Sequence, residues 1–421
     1  MTSVVESTEL QTPVARLRAS GRLRGGLPLL GPAFVVAIAY VDPGNFATDF
    51  SGGARYGYLL LWVVVVANVV AVLVQSLSAK VGLATGSNLP ELCREHFARP
   101  VSLGLWVQAE LVAMATDLAE VIGGAIALEL LFGLPLLLGG LLTGAVAFAL
   151  MGLQARGYRR FEMVIAGLFS VVLLGFLTTL LRSHVDPTAA AAGLVPRFQG
   201  SSSVFLATGI LGATVMPHAV YLHSALTQER VPAADAAERR HLLRHQRVDI
   251  AIAMGLAGLV NIAMLVIAAA VFSGHTAATD DLVGIHSGIA TELGKGSALA
   301  FAVALLASGL ASAGVGTLSG QVVMQGFIRR SVPLLLRRVV TLAPALVVVA
   351  IGFDPTRALV LSQVVLSFGL PFALVPLVLL TRRPDVMGEL VNRAVTTAAA
   401  AAVVVVIVVV NGFLVWQSLL G

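Results

Sequence analysis

Cysteine is all but absent from this chain, and charge is scarce. The single Cys93 excludes an internal disulfide and any cysteine-based zinc or iron–sulfur centre held by one chain. Charged residues make up 12% of the 421 residues, about half of the roughly 25% usual in soluble domains. Metalloprotease HExxH, phosphate-loop and dinucleotide fingerprints are missing. The first 26 residues carry Arg16, Arg18, Arg22 and Arg24 but no signal-peptide pattern with a cleavage site, and are expected to form a flexible cytoplasmic tail.

What the chain has in abundance is apolar sequence, 57% by composition, which defines an all-α polytopic membrane protein with one transmembrane domain over 27–421. At about 20 residues per crossing, eleven spans are predicted: 27–54, 57–80, 101–131, 134–153, 161–181, 202–227, 248–272, 297–327, 336–352, 357–380 and 390–419. With the N-terminus cytoplasmic, 22 of the 27 Lys and Arg fall on the inner side, leaving Arg55, Arg182, Arg197, Lys295 and Arg357 outside. This positive-inside bias fits an odd number of spans and an external C-terminus. It also accounts for a pI near 9.9 without any nucleic-acid partner. The Arg-rich segment 228–247 reads as the longest cytoplasmic loop; binding to acidic lipid is the other reading.

Span 1 is interrupted by Asp42-Pro43-Gly44-Asn45. Proline lacks the N–H that a helix needs and glycine is a poor helix former, so the helix breaks at membrane depth. Such a break is tolerated only where it is buried in protein or lines a cavity. An intramembrane carboxylate there marks a functional site, although Asp42 could also merely cap a half-helix. Span 6 carries a matching break at Ala213-Thr214-Val215-Met216-Pro217-His218. Two interrupted helices five spans apart enter from opposite faces, which points to a 5+5 inverted repeat with the site between the halves. The repeats are expected over about 27–182 and 202–380, with an extra helix at about 390–419.

Asp42 and Asn45 offer hard oxygens, Met216 a thioether, and the turn before Pro217 a freed carbonyl, taken to be that of Ala213. Oxygen donors alone suit magnesium or calcium, and the thioether moves the preference toward first-row transition metals. Met216 filling a gap in the core is the alternative.

These two motifs resemble those of the Nramp family of proton-coupled divalent metal transporters. The likeness extends through Asp42–Asp49, Asn88-Leu89-Pro90-Glu91-Leu92, Ala113–Glu120, Ala213–His218 and Ser362-Gln363, essentially the whole chain after residue 27. It implies the broken-helix, LeuT-like fold. Asp42, Asn45, Met216 and the Ala213 carbonyl would then ligate Mn2+ or Fe2+, and the Ala39 carbonyl and Gln363 amide would be state-dependent ligands. Relatives that carry magnesium or aluminium depart from the methionine; this sequence keeps it.

Span 3 carries Glu110, Asp117 and Glu120 in otherwise apolar sequence. At 100° per residue, Glu110 and Asp117 lie about 20° apart and Glu120 about 80° round from Glu110. Such a chain of acids suggests a proton relay, and the resemblance implies a route from Asp42 to the cytoplasm. A structural network with Arg337 and Arg338 is the alternative, and the two can coexist. His218 is read as a proton-handling or outer-sphere group rather than a ligand. His223, one and a half turns on, is a weaker candidate of the same kind, and Asn68, Gln75 and Asn261 are read as mostly structural polar residues.

The expected function is secondary active import of Mn2+ or Fe2+ with protons, at the plasma membrane, by alternating access around spans 1 and 6. No enzyme activity, resident cofactor or obligate protein partner is implied beyond ions, protons and lipid. The rivals are a cation-coupled amino-acid symporter of the same architecture, an ion channel and an intramembrane enzyme. No repeated pore motif supports the channel and no nucleophile–base pattern the enzyme.

Overall fold

The computed structural model describes residues 31–155, 158–228, 236–272, 281–330 and 334–420, all helices and connecting turns. The tail at 1–26 lies outside the described residues. Span 1 is α1 (Pro32–Ala37), a 3-10 turn (Ile38–Val41) and α2 (Pro43–Tyr56); span 2 is α3 (Leu61–Thr85). A short α4 (Leu89–His96) precedes span 3, α5 (Arg99–Phe132). Spans 4 and 5 are α6 (Leu136–Ala155) and α7 (Tyr158–Arg182), followed by a short α8 (Pro187–Ala192). Span 6 divides into α9 (Gly200–Thr214) and α10 (Pro217–Thr227), and span 7 is α11 (Ala236–Phe272). After α12 (Leu282–Leu293) come α13 (Lys295–Ile328), α14 (Leu334–Ala350) and α15 (Pro355–Thr381), which are spans 8, 9 and 10. A one-turn α16 (Pro384–Met387) leads to span 11, α17 (Ala394–Leu420).

All eleven expected spans have a helical counterpart. Eight helical stretches are long and apolar enough to cross a membrane, and shorter apolar helices at Pro32–Val41, Leu136–Leu150 and Val339–Ala350 complete the set. Two expectations are corrected. The segment 228–247 is not a loop throughout, because α11 begins at Ala236. Its arginines alternate with Leu242, Leu243 and Gln246, which are buried, so one face of a cationic helix packs inward. The short helices α4, α8, α12 and α16 were also not expected, and three of them are built by local caps. Asn88 and Glu91 form a reciprocal capping box on α4. Asp186 and Asp281 cap α8 and α12 through the amides of Thr188, Ala189 and Gly284.

Exchanging spans 1–5 for spans 6–10 leaves the packing pattern in place. α5 lies along α15 as α13 lies along α7, α14 packs on α5 as α6 packs on α13, and α10 packs on α3 as α2 packs on α11. The α5–α13 contact maps onto itself. Small residues let these two helices approach: a Cβ on Gly309 would come within 3.2 Å of the Gly124 nitrogen, the close-backbone packing that membrane helices favour. Phe46 and Phe50 of α2 interlock with Phe176 of α7 and Phe301 of α13.

α17 stands outside this exchange, with Val405, Val406 and Val409 outward. Ala400 and Ile407 pack it into the core, and a buried polar pair fastens it to α15. Pro371 lies inside α15 and withholds the N–H that would bond the Ser367 carbonyl four residues back. Asn411 Nδ2 of α17 donates to that carbonyl at 2.8 Å, and the Ser367 hydroxyl donates to Asn411 Oδ1 at 2.9 Å. Replacing Asn411 by Leu should lower stability by about 1–3 kcal/mol, the cost of an orphaned buried acceptor. Adding Pro371→Ala, which restores the helical donor, should recover part of the loss; thermal unfolding of the detergent-solubilised variants reads both, and no recovery would refute the assignment.

Candidate ion site at the two helix breaks

The breaks follow from proline arithmetic. In an α-helix the carbonyl of residue i bonds the amide of residue i+4, so Pro43 strands the carbonyl of Ala39 and Pro217 that of Ala213. These are the two carbonyls expected to face an ion. Around the first break the backbone is re-satisfied by neighbours. Asn261 Nδ2 donates to the Tyr40 carbonyl at 3.0 Å, and the Ser308 hydroxyl donates to that of Val41. Past the second break, the Ser319 hydroxyl donates to the His218 carbonyl at 2.7 Å. Spans 7 and 8 thus hold both interruptions.

Asp42 is extended (φ −77°, ψ 170°) and caps α2. Its Oδ1 accepts from the Asn45 amide N–H and from Asn45 Nδ2, each at 2.8 Å, whereas Oδ2 is buried and has no hydrogen-bond partner among the described residues. Asn45 Nδ2 also donates to the Ala213 carbonyl at 3.1 Å, and Thr214 Oγ1 lies 3.5 Å from Asn45 Oδ1. The amide nitrogen therefore sits between a carboxylate and a stranded carbonyl from opposite halves of the molecule. Two oxygen acceptors thus converge on one donor. Turning the amide by 180° would withdraw the donor and present Oδ1 beside the two oxygens already there.

The other expected ligands are disposed around this pair. Met216 is fully buried at the N-cap of α10, in the same cluster as Ala39 and Val41. Gln363 is buried, its Nε2 donates to the Ser362 hydroxyl at 3.0 Å, and its Oε1 has no partner among the described residues. It lies flat on Gly44, where a Cβ would come 2.0 Å from Gln363 Nε2. Gly44 therefore admits the amide to the Asp42 loop. On the other side of the loop Pro43 presses on Gly123 of α5, where a Cβ would sit 2.0 Å from the ring.

The acids of α5 are also inside the protein. Glu120 is fully buried against Gly316 of α13, and Asp117 is 5% exposed. Thr116 Oγ1 and His218 Nδ1 are 3.3 Å apart, which brings the histidine to the acidic face of α5. Glu110 meets Arg337: Nη2 to Oε2 is 3.5 Å, with side-chain exposures of 7% and 18%. Arg337 Nη1 donates to the Thr317 carbonyl at 3.2 Å, and the guanidinium lies over Gly320, where a Cβ would collide with it. The expected structural pairing thus exists at Arg337; the side chain of Arg338 lies outside the described residues.

Two features were not singled out from the sequence. Asp49, two turns along α2 from Asp42, is fully buried with neither carboxylate oxygen hydrogen-bonded among the described residues. The signal that found Asp42, an acid in an apolar span, also marks Asp49. The second feature is a buried chain of hydrogen bonds. Gln75 Nε2 donates to the Tyr40 hydroxyl, His223 Nδ1 is 2.7 Å from Gln75 Oε1, and Gln246 Nε2 is 3.3 Å from His223 Nε2. Gln246 also donates to Asp249, whose carboxylate receives the amides of Gly31 and Ala33 at 3.1–3.3 Å. This chain ties α1 to α3, α10 and α11 on the N-terminal side of the break. Gln75, read as structural, and His223 belong to it; its length arises from four separate helices and has no local sequence signature.

Together the fold and the breaks define a broken-helix transporter of the inverted-repeat class. A family profile described as natural resistance-associated macrophage protein-like, Nramp, matches residues 33–417. The chain belongs to the Nramp family. It is 51% identical over 411 residues to the divalent metal cation transporter MntH of Deinococcus radiodurans, covering 97% of this chain and 94% of the relative. It is 53% identical to the protein of the same name from Mycobacterium tuberculosis, covering 93% and 92%. A crystal structure of the Eremococcus coleocola manganese transporter superposes with a TM-score of 0.83 at 34% identity, over 92% of this chain and 86% of that one. The nucleobase–cation symport-1 transporter Mhp1 matches at a TM-score of 0.61 and 18% identity, over 87% and 82%, a likeness of fold alone.

Truncating one partner of a largely buried ion pair leaves the other charge uncompensated. Glu110→Ala should therefore destabilise the protein by about 3 kcal/mol. The double variant Glu110→Leu/Arg337→Leu should be more stable than Glu110→Ala, and a double variant that is less stable in chemical denaturation would show the pair to be net stabilising.

Proposed function

We propose that this protein imports a divalent transition metal, Mn2+ or Fe2+, coupled to protons, by alternating access around the two broken helices. The observation that carries this reading is the bridging position of Asn45 Nδ2 between Asp42 Oδ1 and the Ala213 carbonyl. Relatives named divalent metal cation transporters at about half identity support the cargo class. In this reading Asp42, Asn45, Ala213 and Met216 hold the metal, with Gln363 and the Ala39 carbonyl joining as the helices move. The thioether of Met216 selects against Mg2+ and Ca2+.

Asp42 then serves both cargo and proton, because a metal on the carboxylate displaces the proton it carries. His218, Asp117 and Glu120 take the proton toward Glu110 and Arg337 on the cytoplasmic side, with Arg338 beside it in sequence. The positive-inside distribution puts the N-terminus in the cytoplasm and the C-terminus outside, in the plasma membrane. A cavity of about 810 Å³ supports entry from the other face. Its walls include Ser51 and Arg55 of α2, Phe205 of α9, Val360, Val364 and Phe368 of α15 and Leu414 of α17. The amino-acid symporter is disfavoured because the Asp42 carboxylate occupies the N-terminus of α2 and would repel a substrate carboxylate there.

Reconstituted protein should take up Mn2+ saturably while the liposome interior acidifies, with little inhibition by excess Mg2+ or Ca2+. Uptake blocked by Mg2+ would make it a hard-cation carrier, and uptake without acidification would remove proton coupling. Asp42→Ala should abolish uptake; near-normal Mn2+ transport would overturn the site. Met216→Ala should strengthen Ca2+ competition by about tenfold, roughly 1.4 kcal/mol of discrimination, and unchanged selectivity would leave the thioether a packing group. Asp117→Asn should keep metal binding while slowing acidification.

A further inference from the structure

A second place in the molecule is built for a transition metal, and it is far simpler. α11 begins at Ala236 and carries His241 and His245 at positions i and i+4, one turn apart on the same face. Both rings are half-buried. Their Nε2 atoms are 3.0 Å apart, and the rings meet edge to face at a centroid distance of 4.4 Å with an interplanar angle of 77°. Two imidazole nitrogens that each bind one metal at about 2.0–2.1 Å, at angles between square and tetrahedral, stand about 2.9–3.4 Å apart. The observed spacing falls in that window. Two histidines at i and i+4 on one helix face are also the arrangement by which helices chelate zinc.

We propose that His241 and His245 form a peripheral chelating site for a divalent transition metal, completed by water. Imidazole donors favour Ni2+, Zn2+ and Co2+ over Mg2+ or Ca2+. In the metal-free protein the 3.0 Å spacing is that of one N–H···N hydrogen bond. Binding needs the donor ring to carry its proton on Nδ1 and the two rings to turn so that both Nε2 lone pairs converge on the ion. Among the described residues no group of three His, Cys, Asp or Glu surrounds a common point, and the proposal takes only the two imidazoles as protein ligands. Arg244 lies between the histidines in sequence, with Arg239, Arg240 and Arg247 nearby on α11; of these Arg240 is paired with Glu389 at 3.3 Å. These charges weaken the hold on a dication.

Position gives the site a use. His245 lies four residues, about 6 Å, before Asp249, whose carboxylate holds the first amides of α1. The pair therefore stands beside the end of the half-helix that moves in the proposed transport cycle. There it acts as a low-affinity way-station for metal at the cytoplasmic mouth. That role rests on the proposed direction of transport; the binding site does not.

The test is isothermal titration of tag-free, full-length protein with Ni2+, in an Asp42→Ala background so that the site at the helix breaks does not contribute. One Ni2+ should bind to Asp42→Ala, and its affinity should fall more than about tenfold when either His241→Gln or His245→Gln is added. In protein with Asp42 intact, His245→Gln should remove one binding event and leave the one at the breaks. Absence of Ni2+ binding in Asp42→Ala, or binding unchanged by both histidine variants, would overturn the proposal. Loss of transport in the liposome assay with Ni2+ binding retained would strike at the importer reading alone.

Discussion

A carbonyl stranded by a proline at membrane depth must find another donor, and the rest of this structure is arranged around that requirement. Water is not available there, and each unmet polar group is costly. Pro371 and Pro217 meet the requirement in different ways. The Ser367 carbonyl is bound by Asn411, which is itself held by the Ser367 hydroxyl, so this bond is closed on both sides and fastens α17. The Ala213 carbonyl is bound by Asn45, whose other partner is a carboxylate with one oxygen still unsatisfied. The first solution leaves no acceptor open and the second leaves one, and the second lies where, in the proposed function, a cation would replace the amide.

The same logic explains the buried serines of span 8 and Asn261 in the otherwise apolar middle of span 7. Asn261 and Ser308 satisfy the carbonyls of Tyr40 and Val41, and Ser319 reaches His218. Because these partners come from outside the broken helices, a break can persist without being a hinge in isolation. Close approach is secured by glycine: without the bare faces at Gly44 and Gly123, neither Gln363 nor Pro43 could take the place it has. The acids of α5 are handled differently, with Glu110 anchored by Arg337 near one end and Glu120 deep against Gly316.

Much of this was legible in the sequence. Long apolar runs and two interrupted ones set the eleven spans and their pairing, because hydrophobic length and proline act locally. The Asp42, Asn45 and Ala213 contact followed from the same breaks. What stayed hidden was set by tertiary packing. The first turns of α11 were obscured by arginines, since their burial depends on Leu242 and Leu243 finding a neighbour. Gln75, His223, Gln246 and Asp249 come from three helices and become a chain only once those helices are side by side. Asp49 was visible as a residue and invisible as a problem, because only burial leaves both its oxygens without a donor.

The composition of the ion site also fits its task. A site of three or more carboxylates, histidines or cysteines would hold a transition metal tightly, as structural metal centres do, and none forms among the described residues. In the proposed site one carboxylate would supply the charge, an amide and a backbone carbonyl neutral oxygens, and a thioether softness. The amide of Asn45 donates to both oxygens, so under the proposed function the arrangement without metal would be stabilised as well. Narrowing the gap between empty and loaded states keeps binding weak enough to reverse, which a carrier requires and a storage site does not. Because the neutral donors come from both halves of the repeat, a motion that separates α2 from α9 would break the set, and in the proposed cycle that is how the metal would leave.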